Sequence, residues 1–306
     1  MRINALLMAL GATALWASFY PIGRLLLQGS SVELDPIMLT WLRLLLGGSV
    51  GVALLSCSSG GGARLLKVVR DDWARLLWLA LLGNVGEGIL IFVALQYTTA
   101  AQASLLANAS PIFTVLIAYF ALGERPGGSR VWGMVIGFAG IGLALGARSG
   151  GDVFSMPGDR NILGNLLALG SGICWAGYTV WGTGMVRKYG GATVSVLALL
   201  LAGLMLTPWM LFSCGNFWGR IGALPMLAWL AVFYLGVMAN GLGNTLWYMA
   251  LRNLSAGALG AFGYISALLS LLMAMIGLHE VVSWQFVLAL AMVLGGVGWM
   301  LHERTP

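Results

Sequence analysis

The chain has 306 residues, of which 59% are hydrophobic and 8% charged, where an ordinary soluble domain is about 25% charged. So few polar side chains cannot cover a water-exposed surface, which excludes a soluble globular protein and makes a bilayer the fitting solvent. The net charge of +6 is spread along the chain rather than clustered, which speaks against nucleic-acid binding.

An apolar stretch of about 20 residues crosses the hydrocarbon core as a helix. Ten such spans are predicted, at 3–27, 36–56, 73–95, 97–121, 128–147, 161–186, 192–213, 225–249, 254–277 and 282–301. The first opens as "RINALLMALGATALW", which has the look of a secretory signal. It contains Trp16, Tyr20 and Pro21, a residue that kinks helices by removing one N–H donor. The second holds Arg43. After it, the run "ARLLKVVRDDWAR" (63–75) reads as a membrane-flanking loop.

The third span contains "LLGNVGEGIL" (81–90), with Asn84 and Glu87 inside an apolar run. On an ideal helix Asn84, Glu87, Gly88 and Ile91 share one face. Ionisable groups inside a span are expensive and usually meet a cavity or a partner. Arg43 lies seven residues below the start of span two, and Glu87 eight below the end of span three. Both then sit roughly 10–12 Å below one membrane face. Three readings of Glu87 stand side by side: a structural ion pair with Arg43, direct handling of substrate or protons, or a place in a water-filled crevice.

The fourth span carries Asn108 and Pro111 and ends at Glu124; the fifth carries a GxxxG at Gly133 and Gly137. Small residues let helix backbones approach closely, within one chain or between two. The connection "RSGGDVFSMPGDR" (148–160) reads as a central linker. Span six contains Trp175, Tyr178 and Trp181; span eight Asn240, Asn244 and Trp247; span nine Tyr264; and span ten Gly295, Gly296 and Gly298. Glu124 and Glu280 lie at helix ends, where capping or loop ordering is the simplest role. Cys57, Cys174 and Cys214 have no metal or disulfide spacing. His279-Glu280 continues as Val-Val-Ser, without the second histidine of a zinc-protease motif.

The two sides of the linker resemble each other. An offset of 156 residues takes Asn84 to Asn240, Glu124 to Glu280, Gly140 to Gly296 and Gly142 to Gly298. Trp16 in "ALWASFYPIG" aligns with Trp175 in "ICWAGYTVWG". The first span therefore has a counterpart in span six, which argues for a helix and against a cleaved signal. Five spans per copy make successive copies enter the membrane from opposite sides. The predicted fold class is an all-α integral membrane protein with ten transmembrane helices in two inverted five-helix repeats, 1–147 and 161–306. With the N-terminus inside, eleven basic residues fall on the inner side (Arg2, Arg64, Lys67, Arg70, Arg75, Arg125, Arg130, Arg187, Lys188, Arg252 and Arg304) and three on the outer side (Arg148, Arg160 and Arg220). Both termini are then cytoplasmic.

The segment "PIFTVLIAYFALGERPGGSRVWGMVIGFAGIGLAL" (111–145) resembles the end of an EamA-type repeat of the drug/metabolite transporter superfamily. The shared features are a helix-four proline, a terminal Leu-Gly-Glu-Arg and a glycine-rich fifth helix. Arg43, in "TWLRLLLGG", is similar to an arginine often found in the family's second helix. The second half departs at Ala267, where the proline would recur, and at His279, where the glycine would. The resemblance implies a secondary transporter of the inner membrane, moving an amino acid or another amphipathic metabolite, with export as the leading direction. No ATP-binding motif is present, so a gradient or exchange would drive it, with protons a candidate partner. No cofactor, metal or catalytic residue is expected, and the chain would work as a monomer or homodimer. Expected substrate-binding residues are Trp16, Tyr20, Asn84, Glu87, Asn108, Trp175, Tyr178, Asn240, Asn244 and Tyr264, with Glu87 and Arg43 as a coupling or ion pair. A membrane enzyme or a non-transporting receptor on the same helices is the alternative.

Overall fold

The computed structural model describes residues 2–28, 34–123, 127–146, 158–213, 217–251, 256–280 and 282–302. These residues are helical, with no strand among them. In chain order the helices are α1 (Arg2–Ala17), α2 (Phe19–Gln28), α3 (Pro36–Ser56), α4 (Gly61–Ala80), α5 (Glu87–Tyr97), α6 (Ala100–Ala107), α7 (Ser110–Leu122), α8 (Gly128–Gly146), α9 (Gly158–Tyr189), α10 (Gly191–Ser213), α11 (Phe217–Gly222), α12 (Met226–Phe233), α13 (Gly243–Leu251), α14 (Ala256–Gly277) and α15 (Trp284–His302). Two wider π-helical segments, π1 (Leu81–Gly86) and π2 (Tyr234–Leu242), join α4 to α5 and α12 to α13. Among the described residues, six helical stretches are long and apolar enough to span a bilayer, and shorter apolar helices cover 131–143, 265–277 and 284–296. The chain is a multi-pass membrane protein. Its inside-out character is plain in Phe120, Phe212, Leu227 and Ile276, each at least three-quarters exposed, where lipid rather than water is the neighbour.

The predicted spans are less regular than ideal helices. Span one breaks at Ser18, between α1 and α2, because Pro21 has no N–H to return to Ala17 and its ring crowds that turn. Span four breaks at Asn108 and Ala109, with Pro111 in the first turn of α7. The stretch 63–75 is helix, not loop. It forms the start of α4, and α4, π1 and α5 run on as one 37-residue helix from Gly61 to Tyr97, bent at Asp72. The apolar spacing of Leu65, Val68, Leu76 and Leu79, all buried, overrides the charges between them. The last residues of the expected linker, 158–160, already belong to α9, and Glu124 lies outside the described residues.

Glu280 does cap a helix, but not its own. Its carboxylate accepts from the backbone N–H of Ala100 at 2.8 Å and of Ala101 at 3.1 Å, at the start of α6. Arg24 of α2 stands 3.3 Å from the same carboxylate, both side chains 2% exposed, and also donates to the Thr98 carbonyl. A helix start offers unpaired N–H groups and partial positive charge, so a carboxylate there is doubly favoured. Sequence spacing pointed to the capping but could not name a helix some 180 residues away.

Helix pairs are set by glycine. α8 lies along α15, α3 along α10, α5 along α9 and α1 along α13. A Cβ on Gly296 would stand 2.5 Å from the Gly133 carbonyl oxygen, and one on Gly140 would stand 2.9 Å from Met292 Cβ and Val293 N. The GxxxG of α8 is thus used inside the chain, against α15. Gly296→Ala should lower the melting temperature, by a loss of about 1–3 kcal/mol from overpacking. Gly298→Ala, on the same helix with nothing within 4 Å of the added Cβ, should be neutral or gain up to about 1 kcal/mol. Equal effects in detergent melts would refute the close-packing account.

Candidate functional site

The site is built around a guanidinium that has no access to water. Arg43, on α3, is 1% exposed and its Nη2 lies 3.1 Å from Glu87 Oε2. Its Nη1 donates to Asn240 Oδ1 of π2 at 3.2 Å. The rings of Phe19 and Phe92 stand with centroids 4.7 and 4.8 Å from the guanidinium carbon, a cation–π arrangement strengthened by the absence of water. Gly88 makes the room: a Cβ there would lie 2.3 Å from Arg43 Nη2. One arginine therefore ties α2, α3, α5 and π2 together.

Glu87 is placed by an irregularity. A π-turn adds a residue to the helix and rotates every later side chain about its axis, and such turns recur at functional sites. π1 ends at Gly86, so Glu87 opens α5 and does not continue the simple face that an ideal helix gives it with Asn84. Its side chain keeps 20% exposure although it lies far from either end of its span. Tyr20 of α2 is within electrostatic reach of both Glu87 and Arg43. The Tyr20 hydroxyl accepts from Asn108 Nδ2 at 3.5 Å, and the same nitrogen donates to the Ser104 carbonyl at 2.8 Å. The break before Pro111 is what leaves Asn108 at a helix end facing α2.

An aromatic group adjoins this polar one. Trp16 Nε1 donates to the Ala239 carbonyl of π2 at 3.0 Å, next in the chain to the Asn240 that holds Arg43. The Trp16 ring lies 4.9 Å from Trp247 and 6.0 Å from Trp175, and Trp175 lies 5.4 Å from Tyr178. Trp16, Trp175 and Trp247 are half-buried, while Tyr178 is buried over Gly83 of π1. A Cβ on Gly243 would stand 2.8 Å from Trp16 Nε1, so glycines shape this wall as well.

The structure thus brings together Trp16, Tyr20, Arg43, Glu87, Asn108, Trp175, Tyr178 and Asn240, with Trp247 beside them. Asn84 and Asn244 are buried, each 6% exposed, and Asn84 Nδ2 has no hydrogen-bond partner among the described residues. The Tyr264 side chain lies outside the described ones. Trp181 is 45% exposed and stands beside Trp78 on the outside of the bundle, so it does not line the site. Sequence reasoning missed Phe19 and Phe92, whose role depends on where Arg43 projects. Among the described residues no group of three His, Cys, Asp or Glu side chains could hold a metal.

An uncharged aromatic wall beside a paired charge suits a small amphipathic solute more than a bare ion. The model of the EamA-like transporter family matches the chain twice, over residues 3–146 and 162–301, and the chain belongs to that family of transporters. A relative named an uncharacterized transporter, from Archaeoglobus fulgidus, is 30% identical over 81% of each chain. The aromatic amino acid exporter YddG of Ancylobacter novellus is 29% identical over 99% of each chain. A solved crystal structure superposes with a TM-score of 0.66 at 26% identity, covering 98% of this chain and 96% of that one.

Glu87→Gln should lower stability by about 3–5 kcal/mol, because it leaves the buried Arg43 uncompensated, and Arg43→Ala by less, because Glu87 keeps a part-exposed side. The double variant should regain part of that loss. Melting curves of the four forms in detergent check this, and additive losses would rule out a coupled pair.

Proposed function

We propose that this transporter is a ten-helix secondary carrier made of two inverted five-helix repeats, residues 1–147 and 161–306, that exports an amino acid or similar amphipathic metabolite by alternating access. It would sit in the inner membrane with both termini cytoplasmic, consistent with the distribution of basic residues. The observation that carries the reading is that matching breaks in the two halves meet at one side-chain cluster. The offset of 156 residues takes the end of π1 at Gly86 to the end of π2 at Leu242, and the starts of α5, α6 and α8 to those of α13, α14 and α15. It takes Gly123 to His279, both with positive φ, 68° and 53°. The pairing of α5 with α9 has its counterpart in α13 with α1, and α3–α10 and α8–α15 are each their own counterpart. The double match of the family model supports the same division.

Arg43 and Trp16 from the first half meet Asn240, Ala239 and Trp247 from the second, which is where repeat-built carriers bind their solute. Trp16, Trp175, Tyr178 and Trp247 would take an apolar or aromatic side chain, and Glu87, Tyr20 and Asn108 a polar head. The naming of one relative as an aromatic amino acid exporter favours that substrate class. Arg43 would fix the Glu87 carboxylate rather than touch the solute. The Arg24–Glu280–α6 joint links the halves beyond the Tyr97 end of α5, and alternating access requires such a joint to open in each cycle.

Two experiments test the proposal. In proteoliposomes, a labelled aromatic amino acid should exchange against the same unlabelled solute, with uptake lowered at least about tenfold by Glu87→Ala. Absence of flux with saturable binding would favour a receptor. Turnover of a solute into a new product would favour an enzyme. In the second, native Cys174 reports access: it is partly buried, 3.3 Å from where a Cβ on Gly86 would lie. With Cys57 and Cys214 changed to Ser, Glu280→Gln should raise its labelling by an impermeant maleimide from the outer side. Lowered stability with unchanged labelling would make the joint a static strut.

A further inference from the structure

The first part of α4 packs at the edge of the helical bundle, outside the site. From Gly61 to Tyr97 the helix has 37 residues, about 55 Å at 1.5 Å per residue, against about 30 Å of hydrocarbon. Even a tilted span ending at Tyr97 leaves residues 61–72 at or beyond the hydrocarbon edge. Asp72 departs from helical geometry, with φ −136° and ψ 33°, and this lets the segment turn away from the span. The bend is pinned: Lys188 Nζ and the Tyr189 hydroxyl each stand 2.7 Å from Asp72 Oδ2, and Arg75 Nη1 stands 3.2 Å from Oδ1.

The side chains of this segment fall into three rows at spacings of three and four. Leu65 and Val68 are buried in the apolar core. Leu66, Val69 and Trp73 point outward with exposures of 71%, 46% and 61%. Lys67 and Arg70, also exposed, form a basic row beside them. Arg64 is occupied elsewhere, donating to the Ser59 carbonyl at 3.1 Å and to Ser58 Oγ at 3.3 Å, where it closes the turn after α3. Asp71 is the one acid of the exposed surface here, since Asp72 is already matched by Lys188 and Arg75.

Water is a poor neighbour for three large apolar side chains in a row, and the hydrocarbon core is a poor neighbour for Lys67 and Arg70. The boundary between acyl chains and headgroups satisfies both. We infer that residues 61–73 form an interfacial site for anionic phospholipid, with Leu66, Val69 and Trp73 in the acyl layer and Lys67 and Arg70 on the headgroup phosphate. The segment is continuous with π1 and Glu87, so the lipid holds the far end of the lever on which the candidate site is mounted. With the orientation proposed above, this is the cytoplasmic leaflet.

The test reads lipid identity at the helix and needs no transport. In a variant with Cys57, Cys174 and Cys214 changed to Ser and with Leu66→Cys carrying a fluorophore, spin-labelled phosphatidylglycerol and phosphatidylcholine are compared as quenchers in proteoliposomes. A basic side chain near an anionic surface strengthens association by about fivefold. Phosphatidylglycerol should therefore be preferred by roughly 25-fold, and K67Q/R70Q should bring the two lipids near parity. Both changes are at exposed positions and leave the fold intact, which the melting temperature checks. Equal quenching by both lipids in the unmodified basic row would reduce the segment to an ordinary lipid-facing surface. Quenching by neither would place it in water and overturn the proposal.

Discussion

A buried guanidinium cannot be left alone. Desolvating a charge is so unfavourable that the surroundings of Arg43 must supply a countercharge, an acceptor and polarisable faces, or the helix would not seat. Glu87 and Phe92 of α5, Asn240 of π2 and Phe19 of α2 supply them from three different segments. Bringing those groups together sets much of the remaining packing. Gly88 is small because Nη2 passes over it. α3 approaches π2 closely enough that a Cβ on Gly47 would stand 2.3 Å from the Gly236 carbonyl oxygen. The halves of the chain are joined at their centre because Asn240 comes from the second half and Arg43 from the first.

The same constraint explains why the helices are irregular where they meet. A regular α-helix has no backbone donor or acceptor to spare at mid-span. π-turns and proline breaks create them without exposing them to lipid. π2 turns the Ala239 carbonyl toward the Trp16 indole, and the break before Pro111 leaves Asn108 free to reach Tyr20. Polar contacts therefore gather at the points where the backbone ladder is interrupted.

A second buried arginine makes the comparison instructive. Arg24 is neutralised by Glu280, which is itself held by two backbone N–H groups at the start of α6. That carboxylate has every oxygen engaged and both partners enclosed. Glu87 has one oxygen bonded to arginine and its side chain part-exposed. Two ion pairs of the same chemistry thus differ in what remains available: the first is a closed joint, and the second has an open side. This difference, more than charge itself, singles out Glu87 as a residue able to meet a solute.

Composition and spacing decided a good deal. They made the chain a membrane protein, located its apolar helices, marked Pro21 as a break, and put Arg43 and Glu87 at one depth. These are properties of single segments against a known solvent thickness, and a sequence carries them directly. The segment 63–75 reads as a loop in sequence because its charges outweigh its apolar spacing until Leu65 and Val68 have a core to enter. Only the tertiary structure revealed the π-turns, which no periodicity announces, and with them the true facing of Asn84 and Glu87. It alone selected the partners of Arg43 and Glu280, because a charge inside a bilayer is satisfied by whatever the packing of distant helices brings within about 3 Å. That distance has no expression in sequence separation.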